Sequence, residues 1–257
     1  MNMNVKTLHD ELTKRWPKTL SAAWDNDGIM VSADTNAEVK KVLVALDAAH
    51  EVIRYAAENG FDTVITHHPM IFKGAKNVTP STLTGRRIVD ALTNGVSVLS
   101  FHTRLDAAQG GVNDELCRVL GFEPCESFGE DDMATLGRIA EIPAMTAGEL
   151  AELVKTKLGC AAVRVNGDLS QTVTRAAFCG GDGKDFVYPA LAAGCQAYIT
   201  GDAGYNMAED AAEDGLVTIE AGHYHSEAPV CCVIAEAVRE LTGIEAEFYD
   251  SCGYRVI

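Results

Sequence analysis

Lys41-Val-Leu-Val-Ala-Leu46, Ala49 to Asn59, Gly60 and Thr63-Val-Ile-Thr-His-His-Pro69 read in turn as an apolar strand, an amphipathic helix, its glycine stop and a second apolar strand. That order makes a right-handed parallel βαβ unit, the building block of a buried α/β sheet. The second strand stops abruptly at His67, His68 and Pro69, where an open α/β sheet keeps its ligand crevice. Beyond a loop through Lys76-Asn-Val-Thr-Pro80, a helix near Ser81 to Asn94 and Gly95 lead to a third strand, Val96 to Phe101, followed by His102 and Asp106. Upstream, Val5, Leu8, Leu12 and Trp16 have helical spacing that ends at Pro17. Trp24-Asp-Asn-Asp-Gly-Ile-Met-Val31 reads as a polar turn feeding a short strand, because its carboxylates lack the spacing of an EF-hand loop.

Residues 126 to 134 are polar and acidic and mark a connection between two lobes, the first made of 1–126 and 223–257 and the second of 127–222. The second lobe reads as strand Leu136 to Glu141, helix Ala147 to Leu158 and strand Ala161 to Val165, with Thr146 and Glu149 as a capping box. Phe178-Cys-Gly-Gly, a helix Lys184 to Ala193, Gly194 and Ala197-Tyr-Ile-Thr-Gly-Asp202 follow, then Leu216-Val-Thr-Ile-Glu-Ala-Gly-His-Tyr-His-Ser-Glu227. Ala228 to Leu241 is a buried helix and Glu245 to Tyr249 a last strand. At one constant offset Gly60 meets Gly194, Ile65 meets Ile199, Thr66 meets Thr200 and His68 meets Asp202, while His102 and His223 correspond as strand-terminal histidines. The expected fold is α/β, two similar lobes from an internal duplication, with mostly parallel sheets and helices packed on them.

With 257 residues, 47% of them hydrophobic, the chain can bury a full core. A formal net charge of -16 opposes sequence-independent nucleic-acid binding and favours attraction of divalent cations. No stretch approaches the roughly 20 apolar residues of a membrane span, and the N-terminus has no signal-peptide pattern, so the expected compartment is the cytoplasm. The eight cysteines show no C-x-x-C spacing and read as structural free thiols.

Five of the seven histidines, His67, His68, His102, His223 and His225, follow strands. Alone, each would more often be a hydrogen-bonded structural residue. Together, two adjacent histidines before a proline, an aspartate four residues after a histidine and a Gly-His-x-x-x-Glu pair point to metal-ligand chemistry. Pro69 keeps His68 extended, so His67 and His68 side chains should leave on opposite sides and suit two ions. His223 and Glu227 share one face if a helix opens after Gly222, and a carboxylate can bridge ions about 3.5 to 4 Å apart. Imidazole and carboxylate ligands suit zinc, iron or manganese. His102 reads as a ligand, a proton donor or a structural partner of a strand-end carbonyl, and is placed near the metals but not on them, while His225 points off the His223 face. His9 and His50 receive no role, and Asp202 reads equally as a turn-stabilising residue. Gly180-Gly-Asp-Gly183 hints at a phosphate-cradling turn, but a plain tight turn is the commoner reading and the G-x-G-x-x-G fingerprint is absent.

On Trp24-Asp-Asn-x-Gly, Thr66-His-His-Pro69, His102-Thr-x-x-Asp106 with Gly110-Gly-Val-Asn-Asp114, and Gly222-His-x-x-Ser-Glu227, the chain resembles the NIF-three-like family of dinuclear-metal proteins over nearly its whole length. Its members are often labelled GTP cyclohydrolase I type 2 homologues. The resemblance implies a metal pair in the cleft between the lobes, a toroidal homohexamer, and His67, His68, Asp106, His223 and Glu227 as metal ligands. Asp27 and Ser32 stand where the family more usually has an apolar or small residue and a glycine, and the long domain that larger members insert between the lobes is missing. The expected function is a dinuclear, metal-dependent hydrolase of a small nucleotide-like substrate, with His102 and Glu227 catalytic. The alternative is a non-catalytic metal-binding scaffold or regulatory interaction protein.

Overall fold

The computed structural model describes residues 3–129 and 136–257. In chain order its elements are α1 (Val5–Arg15), β1 (Gly28–Val31), β2 (Lys41–Ala45), α2 (His50–Glu58), β3 (Thr63–Thr66), α3 (Leu83–Thr93), β4 (Ser97–Ser100) and α4 (Thr103–Ala107). They continue as α5 (Val112–Leu120), β5 (Glu126–Phe128), β6 (Gly137–Thr146), α6 (Ala147–Leu158), β7 (Arg164–Asn166), β8 (Thr172–Asp182), α7 (Val187–Ala192), β9 (Ala197–Asp202) and α8 (Tyr205–Glu213). The last are β10 (Val217–Glu220), α9 (His223–Glu227), α10 (Pro229–Thr242) and β11 (Glu245–Phe248). No helix among the described residues is long and apolar enough to cross a membrane.

Packing divides the chain into two units, one running to Leu105 and taking back Val230–Cys252, the other holding Asp106–Pro229 and Gly253–Ile257. Residues 106–126, 223–229 and 253–257, which the sequence places in the first lobe, fall in the second unit of this division. The physical reason for the first of these is α5, whose Leu116, Cys117 and Leu120 share a core with Ala140, Leu150 and Phe178. Of the acidic connection, Glu126–Phe128 form the edge strand β5 and residues 130–134 lie outside the described residues.

In the first unit the sheet runs β1-β4-β3-β2-β11. The expected βαβ unit is present: β2 and β3 are parallel, with Val44 opposite Ile65, and β4 and β11 extend the parallel set. Only β1 is antiparallel, on β4. Leu43, Ala45, Val64 and Val98 pack into one core with Val52, Ile53 and Ala56 of α2 and Ile88 and Ala91 of α3. Alternate residues Val42, Val44, Ile65 and Leu99 are buried as well, so both faces are covered.

The second unit's sheet runs β5-β6-β8-β9-β10-β7. Here the expectation of a mostly parallel sheet fails: only β8-β9-β10 is a parallel trio, and β5, β6 and β7 pair antiparallel with their neighbours. The cause is the long ladder between β6 and β8, from Arg138 opposite Phe178 to Thr146 opposite Thr172. Its register shifts between Glu141 and Met145, around Pro143, which has no N–H to give the ladder. The trio sends Phe178, Ile199 and Ile219 into one core and Cys179 and Tyr198 into another, the alternation of a sheet covered on both faces. The first unit thus holds four parallel strands and the second three, and in each an antiparallel strand that precedes the parallel set in sequence pairs with one of them, β1 with β4 and β7 with β10.

Candidate metal centre

Strand β3 delivers its two histidines in a fixed posture because the Thr66 hydroxyl donates to the His68 carbonyl at 2.7 Å. His67 is fully buried, and its Nδ1 lies 3.0 Å from the Phe101 carbonyl just past β4. His68 is half-buried, and its Nδ1 lies 3.0 Å from Asp47 Oδ1 just past β2. The adjacent rings are thus tethered to opposite neighbours of β3, in keeping with the extended backbone that Pro69 imposes. Their centroids are nevertheless only 5.0 Å apart. His102 joins them from the end of β4, its ring 5.2 Å from that of His67 and 5.7 Å from that of His68. One ring nitrogen from each of the three falls within 4.8 Å of the others.

Asp25, which the sequence places in a turn, holds His102 in position. It accepts from His102 Nδ1 at 2.8 Å and from the Thr103 N–H and hydroxyl at 3.0 and 2.6 Å. Burial pushes its carboxyl up, but the bonds from His102 and Thr103 outweigh burial and hold the pKa at about 2. Nearby, Asp27 anchors the neighbouring arginine in the same way, accepting from Arg104 Nε and Nη2 at 2.6 and 3.0 Å. The less usual residue at 27 is therefore the counter-ion of a buried arginine, and Ser32 meets Ser97 hydroxyl to hydroxyl at 3.0 Å.

In the second unit α9 opens at Gly222, where φ is 84°, and the turn that follows brings His223 Nε2 to 3.2 Å from Glu227 Oε2. His223 Nδ1 lies 2.9 Å from Asp202 Oδ2, at the end of β9. A carboxylate oxygen of Asp106 falls within 4.8 Å of one of Glu227. The Gly180-Gly181 stretch, which the sequence suggests is a tight turn, is a bulge in β8 that seats Glu227. Gly181 has φ 69°, and a Cβ there would sit 2.0 Å from Glu227 Oε1. Its N–H donates to Ser226 Oγ at 3.0 Å, while the Gly180 N–H donates to Asn113 Oδ1 at 2.7 Å. Asn113 Nδ2 in turn reaches the Asp106 carbonyl at 3.3 Å, so one side chain ties the bulge to the Asp106 backbone.

The donor set fits a divalent metal. Carbonyl and carboxylate oxygens can only accept, so Nδ1 of His67, His68, His102 and His223 must each carry the proton. A neutral ring then presents its lone pair at Nε2, the arrangement in which an outer acceptor orients a metal-ligating histidine. In that state His223 Nε2 and Glu227 Oε2 face each other with lone pairs at 3.2 Å, a repulsion that a shared cation or an added proton relieves. Two donors bound tetrahedrally to one zinc-like ion lie about 3.4 Å apart, given bonds of about 2.0–2.1 Å. Burial, and secondarily the Asp106 carboxylate, push the nearby Cys179 thiol far up, so it stays protonated and adds no thiolate.

His225 leaves the His223 face and meets the Tyr254 hydroxyl at 2.9 Å. His50 lies 2.6 Å from Asp90, a partner hidden by its distance along the chain, and burial lowers the His9 pKa beside Phe101. Asp25, Asp47 and Asn113 escape a reading of the sequence alone. Asp25 and Asn113 do lie in stretches that carry the resemblance, and the signal for Asp47 is position, since it follows β2 as His68 follows β3.

The family model for Duf34/NIF3 (NGG1p interacting factor 3) matches residues 3–252. A relative from Clostridium perfringens named GTP cyclohydrolase 1 type 2 homolog is 36% identical over 236 residues, covering 90% of each chain. The crystal structure of the Staphylococcus aureus hypothetical protein SA1388 superimposes with a TM-score of 0.90 at 25% identity, covering all of both chains. That of a Bacillus cereus protein related to NIF3 shares the fold with a TM-score of 0.88 at 21% identity over the same extent. With its two sheets, its strand-end histidines and a family match from Met3 to Cys252, the chain belongs to the Duf34/NIF3 family.

Proposed function

We propose that His67, His68, Asp106, His223 and Glu227 would hold two divalent ions in a hydrolase acting on a small nucleotide-like substrate. The observation that carries this reading is the tethering of every candidate histidine through Nδ1, which turns the basic nitrogens into a prepared donor set. A pair of divalent ions bound there supplies Lewis acidity, polarising the bond attacked and acidifying the water that attacks it. His102 supplies the proton chemistry: Asp25 keeps the proton on Nδ1, so Nε2 can take a proton from the water side and pass it to the leaving group. The name of the Clostridium perfringens relative suggests a purine nucleotide opened at its ring. Internal duplication belongs to the same reading, supported by the shared wiring of the two sheets.

Protein stripped with a chelator and reloaded with zinc, manganese or iron(II) should take up two ions per chain, and Glu227→Gln should weaken uptake by at least about tenfold. Reloaded protein should then hydrolyse at least one of a set of nucleotides, pterin precursors and phosphoesters. Uptake that stays well under one ion per chain sinks the metal centre. Full uptake with no turnover on any of these compounds replaces the hydrolase with the scaffold reading.

The homohexameric ring is proposed on the family resemblance together with the preference of soluble homo-oligomers for closed symmetry. Sedimentation at micromolar concentration should give a hexamer, and a monomer alone would remove the ring.

A further inference from the structure

The second unit holds a cavity of about 600 Å³ past the C-terminal ends of β9 and β10, the end at which open α/β sheets take ligands. Its space comes from missing side chains, since Ala161, Ala162, Gly201, Ala221 and Gly222 all line it. Tyr254 lies directly on the bare backbone of Gly222, where a Cβ would be 2.4 Å from the phenol oxygen. The same hydroxyl meets His225 Nδ1, and the two rings stand edge to face with centroids 5.7 Å apart, making an aromatic wall.

The charges along the lining point away from a phosphate. Two carboxylates, Asp202 and Glu220, stand against one guanidinium, Arg164. Glu220 is buried and already engaged, by Arg164 Nε at 2.8 Å, by Arg164 Nη2 and by the Ala203 N–H at 3.1 Å. An apolar, aromatic-walled space of this volume with a few polar groups at its edge has the chemistry of a small-molecule site. Small residues and aromatic faces admit a flat ring closely, and Asp202 and Arg164 offer an acceptor and a donor to its edge.

We propose that this cavity binds the flat, uncharged nitrogen heterocycle of the substrate, a ring of purine or pterin size, against Tyr254. His223 lines the cavity, so a ring seated there presents the rest of its molecule to the metal-ligating turn of α9, a consequence that rests on the hydrolase reading above. Binding of the ring itself needs no metal.

The test uses the full chain, stripped of metal, titrated calorimetrically with adenosine, guanosine and pterin, and with ribose 5-phosphate as an anionic compound lacking an aromatic ring. At least one heterocycle should saturate the protein, and ribose 5-phosphate should not. Tyr254→Ala should weaken the heterocycle by at least about tenfold, the scale of one lost ring-stacking contact, while Tyr254→Phe keeps the ring and should cost under about threefold. Ala162→Phe, at an exposed lining position that tolerates bulk, should fill the cavity and weaken binding at least as much as Tyr254→Ala. Melting curves report whether each variant is folded. No saturation by any heterocycle, saturation by ribose 5-phosphate instead, or heterocycle binding indifferent to both Tyr254→Ala and Ala162→Phe overturns the proposal. Turnover by metal-loaded protein with KM unchanged in both variants overturns it too, and leaves the hydrolase reading standing. Binding that follows Tyr254 and Ala162 without turnover supports the cavity and sinks only the hydrolase.

Discussion

Asp27→Ala is expected to cost about 3–5 kcal/mol of folding stability, the usual penalty for removing one partner of a buried ion pair. Arg104 is 1% exposed and lies with its guanidinium 5.0 Å from the Phe101 ring centre. Its other acceptors are neutral, the Trp16 carbonyl at 3.2 Å and the Thr13 hydroxyl at 3.3 Å, so without Asp27 a full positive charge stays buried with no counter-charge on its fork. Lys18 and Ser21 also donate to Asp27, and the variant loses those bonds as well. The double variant Asp27→Leu with Arg104→Met should recover most of the loss, because an apolar pair of similar volume removes the desolvation cost along with the attraction. Urea unfolding of the three proteins decides it, and a single variant within about 1 kcal/mol of the parent would show that Arg104 finds water instead.

The same pair fixes a direction with pH. Burial pushes the Asp27 carboxyl up, but hydrogen bonds and charge from Arg104 and Lys18 overcome it, and its pKa in the folded chain lies below the ordinary value. A depressed folded pKa gives stability that is complete above the unfolded carboxyl's value of about 3.9 and is lost as pH falls through the folded one. The pH dependence contributed by Asp27 should therefore lie on the acid side of about pH 4 and vanish in Asp27→Ala.

The sequence announces residues whose role depends on their immediate neighbours. His67 and His68 are legible because a four-residue apolar strand and a proline bracket them, and α6 because Thr146 and Glu149 close a capping box on each other. Groups that act across the chain leave no such trace. Asp25 is separated by 77 positions from His102, and the ladder joining β6 to β8 spans a helix and a strand. Helix α8, Tyr205–Glu213, is hidden in the sequence because the residues it buries, Ala208 and Ala211, are too small to mark an apolar face. The glycines of Gly180-Gly-Asp-Gly183 are visible, but their purpose is not, since it depends on a glutamate that arrives 46 residues after Gly181.

That glutamate makes Gly181→Ala the sharpest test of the metal-binding role proposed for Glu227. Two effects add at this position. The left-handed backbone, φ 69°, costs any residue with a Cβ about 1–2 kcal/mol. The new methyl would also sit 2.0 Å from Glu227 Oε1 and 3.3 Å from His223 Nε2, so the buried carboxylate must leave its seat. Gly194→Ala separates the two effects, because φ is 74° there and nothing lies within 4 Å of the added Cβ. Both variants should lose about 1–2 kcal/mol in chelator, Gly181→Ala somewhat more. Only Gly181→Ala should lose zinc affinity, by about 10–100-fold, the range seen when the support of a metal ligand is disturbed. Zinc titrations that give Gly181→Ala the affinity of Gly194→Ala would mean that Glu227 binds no metal or reaches it from another position.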